Sequence, residues 1–176
     1  MADGAASVMN RIDIAIEQLR QTRRYTRMVL DHTDRDRWFE IAEVGPVSCG
    51  SHIAWQVGHI AWAQSVHVLK GVCALDGELT ITPRWAQCFG KGTTPSADAT
   101  RYPAVAELDA ALDLVLDAAL GALPTLPDAA LDEPVIHPTG LIPDKFALLL
   151  FNTRHEMLHV GQIGLIRRRL GADPYR

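Results

Sequence analysis

The chain is poor in the features that mark secreted or membrane proteins. Its 176 residues include three cysteines, Cys49, Cys73 and Cys88, widely spaced and without a CxxC pair. An odd, scattered set fits a reducing cytoplasm better than a disulfide framework. Cys49 reads as a small buried hydrophobe, with a reactive thiol as the alternative. No apolar run approaches the roughly 20 residues that span a bilayer. The first residues, MADGAASVMNRIDIA, lack the basic region and long apolar stretch of a secretory leader. A cytoplasmic protein with no membrane partner is expected. Positive charge is not in excess either: 17 Lys and Arg face 21 Asp and Glu, a net of −4. That argues against nucleic acid as the main partner. No convincing strand pattern, internal repeat or low-complexity tract appears.

What the chain does have is helical periodicity. Its length suits a single domain over residues 1–176. Val8, Ile12, Ala15, Leu19, Thr26 and Val29 stripe a first helix over residues 7–30. Arg20, Arg24 and Arg27 share another face of it, read as solvated, with an anion site as the alternative. Residues 32–40 form a polar connection with at most one helical turn, and residues 44–51 a loop in which Ser48 or Ser51 can cap the next helix. That second helix spans 52–69. Residues 71–100 are irregular, with short helical turns expected around Pro83 and Trp85 and a part in a pocket wall. Pro103 starts a third helix that runs to about Leu123. A crossing with five prolines comes after it, then a fourth helix from Pro143 to a glycine stop at Gly171. Four long helices predict an all-α fold, a four-helix bundle whose long connections leave room for a crossover topology.

The chemistry concentrates on the fourth helix. Leu148, Asn152, His155, His159, Gln162 and Ile166 recur at spacings of three and four. This seam is apolar at both ends and polar in the middle, and such breaks in a core pattern tend to mark function. His155 and His159 stand four apart, about 6 Å along a helix axis, so both imidazoles can grip one metal ion. On the second helix His52, Trp55, His59, Trp62, Val66 and Leu69 form a matching seam. His59, in its middle, is the natural third ligand. Three protein ligands and an open position are how catalytic zinc is held. His52 lies about 10 Å away along the axis, at a pocket rim or helix start. His67 falls off the seam and is expected at the surface. A polar cluster without metal is the alternative.

HEMLH also fits the zincin pattern H-E-x-x-H, in which Glu156 would activate water. The rest of that signature is missing. After His159 the only side-chain carboxylate is Asp173, and Leu165 stands where a metzincin has its third histidine. Glu156 lies about 100° around the helix from His155, at the surface or behind the histidines.

WQVGHIAWAQ (residues 55–64) and RHEMLHVGQIGLIRRRLG (residues 154–171), with WAQCFGKGTTP and YPAVAELDAAL between them, resemble the DinB/YfiT-like superfamily of metal-dependent enzymes. The resemblance implies a bundle with right-handed crossover order, homodimers, and a metal held by His59, His155 and His159. It also implies relatives that transfer groups to mycothiol, bacillithiol or glutathione, with the metal lowering the thiol pKa. Many relatives carry an acidic residue where this chain has Gln64.

These expectations converge on a divalent metal, zinc or nickel, and a small-molecule substrate. A low-molecular-weight thiol would attack a small electrophile, or a water would hydrolyse one. The alternative is a stress-response protein that binds metal without turnover. Trp55, Trp62, Asn152 and Gln162 are expected to line the pocket or support the imidazoles.

Overall fold

The computed structural model describes residues 10–42, 50–75 and 83–173. Among them lie five α-helices and no strand, apart from a lone bridge between Pro134 and Asp144. The four long helices are α1 (Arg11–Leu30), α2 (Ile53–Gln64), α4 (Val105–Ala122) and α5 (Lys145–Arg169). The short α3 (Pro83–Phe89) is the turn expected at Pro83, extended by Phe89. The fold is an all-α bundle, in which α1 packs chiefly on α5, and α2 on both α4 and α5.

Local chemistry sets the helix starts. Asn10 and Asp13 close a capping box on α1; residues 7–9, expected to be helical, lie outside the described residues. Ser48 and Cys49 also lie outside it. The cap of α2 is neither serine but His52, whose Nδ1 accepts the Trp55 N–H at 3.0 Å. Ser51 instead accepts from the Gln56 amide at 2.7 Å. Asp144, just after Pro143, caps α5 through the Ala147 N–H at 2.8 Å. The arginine face of α1 is largely paired: Arg24 with Glu17, and Arg27 with Asp109 and Asp113 of α4.

The apolar core is split in two. One half gathers Leu30, Trp38, Val57, Phe89, Leu112 and Ile163; the other gathers Ile12, Leu19, Leu69, Leu123, Leu131 and Leu149. Between them each of three helices turns a buried polar residue inward: Arg23 of α1, Gln64 of α2, and Asn152 and Glu156 of α5. This polar belt joins α1 to α2 and α5 through Arg23, which bonds both Gln64 and Glu156.

Directly after Gln64 the helix loosens into a π-helical segment, Ser65–Lys70. Its bonds reach five residues back, from Gly71 N–H to Val66 O and from Cys73 N–H to Val68 O, both at 3.0 Å. Gly71 is needed here: a Cβ would stand 2.6 Å from the His67 carbonyl and 2.8 Å from Leu148. The wider turn alters which faces the later residues present.

Candidate metal centre

The contact between α2 and α5 brings His59, His155 and His159 to one point. The Nε2 atom of His155 is 3.4 Å from that of His59 and 3.2 Å from that of His159. Ligand atoms from the three all lie within 4.8 Å of one another. Nitrogens about 2.05 Å from a tetrahedral zinc would be ~3.3 Å apart.

The outer ring nitrogens decide what the inner ones offer. His59 Nδ1 is 2.6 Å from the Phe89 carbonyl, and His159 Nδ1 is 2.5 Å from Gln56 Oε1. Both oxygens only accept, so each Nδ1 carries the proton and each Nε2 points inward as a lone pair. His155 Nε2 can donate to one of them at most. Three nitrogens therefore crowd together with at most one proton among them, which leaves at least two lone pairs aimed where a cation would sit. Protonating the rings is unfavourable. Burial lowers the His59 pKa against the pull of the Phe89 carbonyl. Burial and then His159 and His59 push His155 down to about 3. Burial and then His59 push His159 down to about 4. All three rings are neutral at pH 7, the form that ligates metal. Donor type, spacing and tautomer all fit a divalent metal ion.

Packing holds these tautomers in place. Trp55 stacks on His59 at 4.8 Å and 13°, and its indole N–H donates to Thr93 Oγ1 at 3.1 Å. Gly58 lets the Phe89 ring lie against α2, where a Cβ would stand 2.4 Å from that ring. The close approach delivers the Phe89 carbonyl to His59. Gln56 ties itself to Ser51 and His159 at once.

The sequence profile of the DinB superfamily matches residues 18–163, which include all three histidines. The chain belongs to the DinB superfamily. No curated protein matches it.

In this DinB bundle two members of the triad open onto a cavity of about 620 Å³. His59 and His155 share its wall with Trp62 and Phe151. Gly71 and Lys91 represent the irregular 71–100 stretch there, as expected. The proline-rich crossing supplies a further part of the wall, residues 134–139, which its composition did not announce.

Of the other expectations, those for Gln162, His67 and Glu156 need correction. Gln162 is exposed on α5, outside the cavity. The glutamine that supports the triad is Gln56, three residues before His59 and so on the same face of α2, a spacing visible in the sequence. Trp55 backs His59 without lining the cavity. Asn152 is buried and touches His67, with 3.3 Å between Oδ1 and Nδ1. His67 is half-buried on the cavity wall, edge-on to His155 at 5.5 Å. The π-helical segment explains this, because α-helical counting places His67 off the seam.

Glu156 is 2% exposed, neither at the surface nor behind the histidines. It accepts from Arg23 Nε at 2.9 Å and from Thr26 Oγ1 at 2.6 Å. Arg23 also donates to Gln64 Oε1 at 2.5 Å and to the Leu112 carbonyl. Gln64 and Glu156 thus accept from one and the same guanidinium. With its oxygens held by Arg23 and Thr26 inside the bundle, Glu156 is no base for a water at the triad.

Proposed function

We propose that this chain is a metal-dependent enzyme in which His59, His155 and His159 bind a divalent ion, zinc or nickel, and in which a low-molecular-weight thiol attacks a small electrophile in the adjoining cavity. The observation that carries the reading is the pair of fixed tautomers, which leaves two inward lone pairs facing a third ring nitrogen. Bound there, a divalent ion supplies Lewis acidity and lowers the pKa of a thiol or water at its open position. The residues do the rest. Phe89 and Gln56 keep the imidazoles neutral and aimed. Trp55 keeps water from one face of His59. Trp62 and Phe151 give an apolar surface on which an organic substrate lies, and the 134–139 segment supplies a further part of the wall.

Hydrolysis is the second reading, favoured by the size of the cavity, which has room for water beside a substrate. A non-catalytic metal-binding role is the third. The test of the site is elemental analysis of untagged protein beside His59→Ala and His159→Ala. Metal is expected in the parent and not in the variants, and equal content in all three would sink the site. The chemistry is then read with a panel of thiols and an electrophile such as a haloarene or maleylpyruvate. No rate above background with any thiol would leave hydrolysis or binding.

The same reading takes the protein as a cytoplasmic homodimer. In support, no described helix is long and apolar enough to cross a membrane. Leu158 and Met157 stand exposed on α5 at 68% and 40%, an apolar surface suited to a second copy. A monomer mass by light scattering at micromolar concentration would contradict it.

A further inference from the structure

The wall of the cavity carries no carboxylate among the described residues. Its ionisable side chains beyond the triad are Lys91, Lys145, His67 and His137. Lys145 donates to Glu133 at 2.7 Å, which neutralises it from outside the wall. Lys91 is exposed at the rim and has no ion pair among the described residues.

His137 is placed by the crossing segment. Hydrogen bonds from Val135 N–H to Pro143 O and from Lys145 N–H to Glu133 O, both 3.1 Å, pin the two ends of that segment together. At its tip the Thr139 N–H approaches His137 Nδ1 at 3.4 Å, with Thr139 Oγ1 at 2.9 Å. An N–H only donates, so Nδ1 is the acceptor and Nε2 carries the proton. His137 therefore offers the cavity a hydrogen-bond donor, with its ring 4.8 Å from Phe151 and 5.9 Å from His67. The remaining surface is mostly apolar, led by Trp62, Val66 and Phe151.

The triad adds no negative charge, because all its members are imidazoles. An ion held by it keeps its full charge and faces an ammonium group, an imidazole N–H and apolar carbon. Such a surface disfavours a cationic ligand, which would find no counter-charge, and rewards an anion through charge-assisted hydrogen bonds.

We propose that the cavity selects small organic anions, an apolar body bearing a carboxylate or comparable group, with Lys91 and His137 as the specificity-determining residues. The proposal rests on the reading of this cavity as the substrate site. The apolar body lies on Trp62 and Phe151, and the anionic head is met by the Lys91 ammonium and the His137 Nε2–H.

The test uses three probes of one shape: phenylacetate, 2-phenylacetamide and 2-phenylethylammonium. Each is titrated into zinc-loaded protein, with binding read by tryptophan fluorescence, since Trp62 lies on the wall, and by calorimetry. Phenylacetate is expected to bind at least about 10-fold more tightly than the amide, the effect of one charge-assisted contact, and the cation more weakly than either. The double variant K91M/H137L, with zinc content checked as unchanged, is expected to bind anion and amide alike. Equal affinities in the parent, no binding of phenylacetate, or a preference that survives in the double variant would each overturn the proposal. Failure of the metal reading shows separately, as absent zinc in elemental analysis. The same titrations on the metal-free protein then still read the part played by Lys91 and His137.

Discussion

The guanidinium of Arg23 on α1 grips both oxygens of Glu156 on α5, Nε at 2.9 Å from Oε1 and Nη2 at 3.2 Å from Oε2. Both side chains are almost wholly buried, at 4% and 3% exposure. Residues next to each other in sequence thus face separate tasks: His155 turns to the cavity, and Glu156 ties the bundle across its polar belt.

That division predicts how Glu156→Gln behaves. Removing one partner leaves a buried, uncompensated guanidinium, and the expected loss of stability is about 3–5 kcal/mol. Metal content of the folded fraction should be unchanged. Replacing the pair together, as R23M/E156L, should recover much of the loss, since an apolar pair leaves no bare charge in the core. Urea unfolding of the three variants measures this. A Glu156→Gln protein as stable as the parent would show that the pair does not hold the bundle together.

Gln56 and Gln162 form a matched contrast on the two triad helices. Gln56 fixes the His159 tautomer through a 2.5 Å contact, whereas Gln162 is exposed. Removing an outer partner of a ligating histidine typically costs 10–100-fold in metal affinity, so Gln56→Ala should weaken zinc binding by about that factor. Gln162→Ala should leave it unchanged. Competition with a chelator of known affinity reads both, and equal affinities for the two variants would remove Gln56 from the site.

The histidine triad was legible in the sequence because α2 is regular up to Gln64 and α5 is regular throughout, so spacings of three and four map onto faces. What the spacing hid was where the centre of the buried face of α5 lies. It runs through Leu149, Asn152, Glu156, Val160, Ile163 and Arg167, and His155 and His159 stand at its edge, half-buried. A seam drawn through the histidines therefore drifts out to Gln162. Only the partner Arg23, far away in sequence, makes a buried Glu156 tolerable, and no local pattern signals that pairing. His67 was missed for another reason: counting by 3.6 fails where the helix widens into a π-turn. His137 sits in a proline-rich crossing whose path is set by hydrogen bonds between its ends, so no periodicity could place it.

Gly58 tests whether packing sets the triad. Its missing side chain admits the Phe89 ring, with ring atoms 2.4–2.6 Å from where a Cβ would be. Gly58→Ala must push that ring away, and overpacking of this kind costs typically 1–3 kcal/mol. The displacement also draws the Phe89 carbonyl off His59 Nδ1, so zinc affinity should fall along with stability. Leu149→Ala, in the other half of the core, should lower stability by about 2–5 kcal/mol while leaving the zinc affinity of the folded protein unchanged. If Gly58→Ala loses stability without losing zinc affinity, Phe89 does not orient His59.

The buried histidines give the metal-free protein a defined acid sensitivity, and His52 isolates one share of it away from the triad. It is fully buried at the start of α2, in ring contact with Phe39 and Tyr102, and burial lowers its pKa from 6.5 to about 4. Below pH 6.5 the unfolded chain takes up a proton on this ring that the folded chain refuses until about pH 4. The unfolded state then binds more protons, so stability falls as pH drops through that window and is insensitive to this residue above it. The full shift corresponds to about 3 kcal/mol. His52→Asn keeps a side-chain acceptor for the cap of α2 but cannot titrate. Its stability at neutral pH should be lower, because an aromatic contact is lost. Its decline between pH 6.5 and 4 should be shallower than that of the parent by about 2–3 kcal/mol. Urea midpoints measured across that range on metal-free protein give both curves, and parallel curves would show that His52 does not stay neutral in the folded state.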